Sequence, residues 1–83
     1  MKVSVEWIKS EECHWPESVK LHACEVIRLR AEAKTAVGKT ASRNMLDPQK
    51  LEDLKEIEQL YLQIGVAYRN LRKELAYHIA TQG

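Results

Sequence analysis

The chain is predicted to be all-α: an antiparallel helical hairpin with a long second helix and a short N-terminal segment packing on it. Three observations predict this. Asp47-Pro48 is a helix-start signal, because Asp at an N-cap accepts a hydrogen bond from an orphan backbone N–H and Pro at the first helical position has no N–H to lose. From there apolar residues recur every three or four positions without a break, the period of a single helix face. Three Gly and two Pro leave little material for a turn-rich β fold.

The 83 residues make one small domain, and a composition of 45% hydrophobic and 30% charged residues fits neither a disordered nor a membrane-spanning chain. Thirteen Lys and Arg against twelve Asp and Glu leave a formal net charge of +1, so no whole-chain field favours nucleic acid, anionic lipid or an acidic substrate. Cys13 and Cys24 are too few for a disulfide framework and are expected to be free thiols. No apolar run is long enough for a signal peptide or a transmembrane helix, and a soluble, cytoplasmic protein is expected. The single domain 1–83 divides into an N-terminal segment (1–15), a first helix (16–37), a loop (38–47) and a second helix (48–80).

In the N-terminal segment, residues 3–8 read as extended or irregular, with Ser10-Glu11-Glu12 capping one short helical turn. The first helix opens at Pro16, with Glu17 favoured by the helix dipole, and stops at Gly38. Val19, Ala23, Val26, Ile27, Leu29, Ala33, Ala36 and Val37 give it a broad apolar stripe whose alanine-rich end admits a second helix closely. Residues 38–46 are polar and suit a helix-to-helix connection.

The second helix carries a heptad seam, with Leu54, Tyr61, Tyr68 and Leu75 at a positions and Ile57, Ile64, Leu71 and His78 at d positions. Acids early and bases late in this helix match the macrodipole. At about 50 Å it needs a partner to be stable. Folding about the loop makes facing residue numbers sum to about 87. That places Val26 opposite Tyr61, Val19 opposite Tyr68 and Ala33 opposite Leu54. The hairpin seam is therefore Val19, Val26, Leu54, Ile57, Tyr61, Ile64, Tyr68, Leu71 and Leu75. The first helix spans only roughly 33 Å, which leaves Leu71, Leu75 and Ile79 to be covered by Trp7, Ile8 and Trp15.

The motifs that usually carry chemistry are weak here. Gly38-Lys39-Thr40 resembles the end of a phosphate-binding loop, but Ala33 stands where the pattern needs Gly and no strand precedes it. Cys13, His14, His22 and Cys24 lack the paired spacing of a zinc site, since His22 and Cys24 point roughly 160° apart on a helix. His78 sits near a helix end, where the dipole favours it. No nucleophile has a base and an orienting acid at interpretable spacing. No catalytic residue, cofactor or metal is therefore assigned, and the chain is expected not to be an enzyme.

Two surface features remain. Arg28, Arg30, Lys34, Lys39 and Arg43 gather near the hairpin tip and suit phosphate contacts, although Glu52, Asp53 and Glu56 lie close to the same tip. On the second helix, Leu51, Leu62, Val66, Tyr77 and Ala80 fall within about 80° of one another, away from the main stripe. A two-helix hairpin leaves that stripe without a partner, so Leu51, Leu62, Val66 and Tyr77 are the expected partner interface unless Trp7 and Trp15 wrap them.

Asp47-Pro48-Gln49, followed by Leu60, Tyr61, Ile64 and Tyr68, resembles the pattern of small helical-hairpin chaperones of type III secretion needle subunits over residues 19–77. The first fifteen residues, with Trp7 and Trp15, have no counterpart there. The resemblance implies a non-enzymatic cytoplasmic co-chaperone that binds a larger helical-repeat chaperone and keeps a needle subunit soluble. The expected function is thus protein–protein interaction, as a coiled-coil-like module that dimerises or docks on a helical partner. The alternative is a nucleic-acid-associated regulator that uses the basic tip.

Overall fold

The structure, a computed structural model, describes residues 4–82. All its elements are helical: α1 (Val5–Ile8), α2 (Glu17–Ala41) and α3 (Pro48–Gln82). The two long helices pack against each other as a hairpin and α1 packs on α2, giving an elongated body of 55 × 23 × 16 Å. The all-α hairpin expected from the sequence is what is observed.

Each end has a local cause. Ser4 is extended, and its hydroxyl accepts from the Trp7 N–H at 3.2 Å, so a helical turn forms where an irregular stretch was expected; Val3 lies outside the described residues. Residues 10–12 form turns after α1 rather than starting a helix. Asp47 caps α3 as expected, its carboxylate accepting from the Gln49 N–H at 2.9 Å. Gly38 does not stop α2. Its φ is not positive, and the helix continues for another turn to Ala41, with Thr40 buried in that turn. Termination comes from Ser42, whose hydroxyl donates to the Lys39 carbonyl at 2.7 Å and satisfies one of the orphan C-terminal acceptors.

This extra turn shortens the loop to residues 42–47 and resets the register. Ser18 meets His78 and Arg43 meets Asp53, so facing numbers total 96 rather than about 87. The pairings of Val26 with Tyr61, Val19 with Tyr68 and Ala33 with Leu54 are accordingly displaced by about two and a half turns along α3.

The main core is Val26, Leu29 and Ala33 of α2 against Ile64 and Ala67 of α3, with Leu60 and Leu71 packed at its edges. Ile57 and Val19 are also buried. Four predicted seam residues are not: Leu54, Tyr61, Tyr68 and Leu75 are all exposed. α3 is rotated so that its d residues, together with Leu60 and Ala67 one helical turn away, face α2. The chemistry of the side chains fits the rotation at the two tyrosines, although not at Leu54 and Leu75. Ala67 permits close approach, whereas a tyrosine in the seam must find a partner for its hydroxyl. On the flank, Tyr61 and Tyr68 keep their hydroxyls accessible to water.

A second cluster closes the far end. Ile8, Cys13 and Ala23 are buried together, with Trp7, Cys24, Ile27 and Leu71 against them. Trp7 and Trp15 meet edge to face at 5.4 Å, a favoured aromatic geometry. The N-terminal segment thus covers α2 and reaches Leu71, but Ile79 remains largely exposed.

Candidate interaction surface

α3 has 35 residues against 25 in α2, and α2 covers only one side of it. The remaining sides keep large apolar residues in water. Leu51, Leu62, Val66 and Tyr77, the expected partner interface, are all exposed. Trp7 and Trp15 do not wrap them, because those rings pair with each other over α2. The four residues do not form one patch. Leu62 and Val66 border a shallow groove with His22, Glu25 and Leu29, whereas the Tyr77 ring stands edge-on to that of His78 at 5.4 Å.

The displaced seam residues extend the apolar surface. Tyr68, Leu71 and Leu75 form one bank of a groove of about 540 Å³. Trp15, Val19, Ala23 and Ile27 form the other bank, with Val26 between. The same α3 residues continue past Ala76 to Ile79. Arg30 at the rim donates to the Tyr68 hydroxyl at 3.4 Å. The sequence places Tyr68 in the seam and leaves Leu71 and Leu75 to the N-terminal segment; Ile8 and Trp15 do reach this groove, but Tyr68 and Leu75 stay exposed.

Two of the five cations of the basic tip are paired with carboxylates. Arg28 holds Glu25 at 2.5 Å and Glu32 at 2.7 Å; the Glu25 hydrogen bond raises the guanidinium's pKa, and the reciprocal bond lowers that of Glu25. Arg43 pairs with Asp53 at 2.5 Å and lies 3.9 Å from Asp47. Burial pushes the Asp53 carboxyl up, but hydrogen bonds from Arg43 and Gln49 and the charge of Arg43 bring it below its ordinary value. Lys34 and Lys39 are exposed. Of the five expected phosphate contacts, Arg28 and Arg43 are therefore committed to carboxylates. Lys39 and Thr40 lie inside α2 rather than in a loop, so their backbone N–H groups belong to the helix and do not form a phosphate cradle.

At the opposite end the structure assembles a cluster that the sequence did not reveal. The Ser18 hydroxyl lies 3.1 Å from His78 Nε2, and Glu74 lies 3.4 Å from the same nitrogen. The Ser18 hydroxyl first, then His78 and His22, hold the Glu74 carboxyl below its ordinary value against the opposing effect of burial. A nucleophile–base–acid relay uses both ring nitrogens of the imidazole, whereas here both neighbours reach Nε2. The cluster ties α2 to α3. Ser18 and His78 are sixty positions apart, so no local spacing could have disclosed it.

Cys13 is buried and Cys24 partly buried, both as free thiols. Among the described residues no group of three or more His, Cys, Asp or Glu is placed to hold a metal ion. No helix among them is long and apolar enough to cross a membrane. Comparison with protein-family models, with curated proteins and with solved structures gives no match to this chain. Its own surface is thus the basis for a functional reading.

Proposed function

We propose that this chain is a non-enzymatic protein–protein interaction module, a small cytoplasmic co-chaperone or adaptor that works through the outer side of α3. The observation that supports this reading is the number of large apolar side chains left exposed along one helix, among them Leu51, Leu54, Tyr61, Leu62, Tyr68, Leu75 and Ile79. Isolated exposed apolar residues are ordinary, but contiguous ones mark interaction sites. The resemblance to needle-subunit chaperones gives the finer form of the proposal, in which the partner is a helical-repeat chaperone. Nucleic-acid binding is disfavoured because two of the five tip cations are already paired.

Affinity capture from the native cell tests the reading when wild type is compared with the double variant Leu62→Glu, Tyr68→Glu. Both positions are exposed, and circular dichroism checks that the variant keeps its helicity. Proteins held by the wild type and lost from the variant support the proposal; identical captures from both contradict it.

A further inference from the structure

Resting on the reading of α3 as a docking surface, we infer that its occupant is a second copy of this chain, packed antiparallel along α3 about a two-fold axis at Gly65. A two-fold axis perpendicular to a helix pairs residues equally far before and after the axial position, and an isologous interface must be self-complementary under that exchange. The sequence of α3 meets this condition. Centred on Gly65, the exchange sets Leu51 against Ile79, Leu62 against Tyr68 and Glu58 against Arg72. Apolar faces apolar at these pairs and at Leu54 against Ala76, acid faces base at Glu58 and Arg72, and Tyr61 faces Arg69, a phenol ring against a guanidinium.

The structure places these residues where such a contact needs them. Leu51, Leu62, Tyr68 and Ile79 are all exposed, as are Glu58, Gly65 and Arg72. All seven fall within about 120° of the helical wheel, with Gly65 near the middle. Neither Glu58 nor Arg72 is in an ion pair among the described residues, so both are available to a partner. A Cβ built at Gly65 meets nothing within 4 Å. Nothing within the chain therefore requires glycine there, whereas two helices crossing at that point approach most closely without side chains. The early acids and late bases of α3 also favour the antiparallel direction, which brings unlike ends together.

The dimension is sufficient. From Leu51 to Ile79 the strip is about 42 Å long. A standard interface buries about 800 Å² per partner, roughly an eighth of the chain's 6521 Å² of accessible surface. The result is a four-helix assembly in which the two α3 helices form the inner pair and each α2 flanks its own α3.

Sedimentation equilibrium on the full chain across micromolar concentrations, with charge-reversal variants, tests this. The wild type is expected to be a dimer. E58R and R72E each place like charges at two symmetric points and are expected to weaken association about tenfold, while E58R/R72E together restore it. Gly65→Lys sets two ammonium groups at the axis and is expected to dissociate the dimer, while raising the helicity and thermal stability of the monomer. A monomeric wild type overturns the inference, as does a dimer indifferent to the single reversals or one the double variant fails to restore. A monomeric wild type whose α3 face still captures a different protein leaves the docking reading standing, so the two fail separately.

Discussion

Ile64 and Tyr61 lie on the same helix, one turn apart, yet they do different work. Ile64 is 8% exposed in the core against Val26, Leu29 and Ala33, whereas Tyr61 is 56% exposed on the flank. The difference is not one of hydrophobic period, because both positions fit the heptad. It follows from the rotation of α3, which turns all four a positions, Leu54 and Leu75 included, away from the core, and the side chains at the two compared positions suit it. A branched aliphatic group loses nothing by full burial, while a phenol in a two-helix seam leaves a hydroxyl to be satisfied. The inner side of α3 is therefore built for folding, and its outer side remains free for association.

Truncation on the two sides breaks the comparison most sharply. Ile64→Ala is expected to cost about 2 to 4 kcal/mol through lost burial and a residual cavity. Tyr61→Ala is expected to cost less than about 1 kcal/mol when measured at concentrations where the chain is monomeric. Urea unfolding followed by circular dichroism checks both, and equal costs at the two positions would erase the distinction between inner and outer side.

Gly65 sharpens the comparison in the opposite direction. Because its added Cβ meets nothing within 4 Å and glycine costs a helix interior about 1 kcal/mol relative to alanine, Gly65→Ala is expected to stabilise the monomer by about that amount. A destabilising result in thermal unfolding would show that glycine is needed within the single chain.

The sequence made the helical hairpin legible through strong local signals. Asp47-Pro48 fixed the start of α3, and the three–four spacing fixed its length and amphipathic character. What it did not disclose depended on contacts distant in sequence. Gly38 reads locally as a stop, but α2 runs another turn to Ala41, packed against α3. A three–four pattern identifies a stripe without fixing which edge of it turns inward, so Ala67 and Leu60 were overlooked and Tyr61 and Tyr68 misplaced. The exposure of Leu51, Leu62, Val66 and Tyr77 was legible because they lie far from the main stripe. The tie between Ser18, Glu74 and His78 was not.

That tie gives the smallest expected effect. Glu74 and Asp53, at opposite ends of the hairpin, both have folded-state pKa values below their ordinary ones. A lowered folded pKa adds stability that is complete above the unfolded pKa and is lost as pH falls through the folded one. Stability is therefore expected to decline on acidification below about pH 5. Glu74→Gln should flatten the decline contributed by the Ser18 end, and Asp53→Asn that contributed by the tip. Urea midpoints taken across this range would show unchanged slopes in both variants if the carboxylates were not so held.

The division of α3 into a folding side and an association side is tested most directly by sedimentation equilibrium of the wild type beside Leu62→Glu, with circular dichroism on both samples. Leu62 is 59% exposed, so the substitution leaves the hairpin folded while placing a carboxylate on the outer face. The expected result is a dimeric wild type and a monomeric variant with equal helicity. A variant that loses its helicity would contradict the division of α3, and a wild type and variant of the same mass would contradict self-association through its outer side.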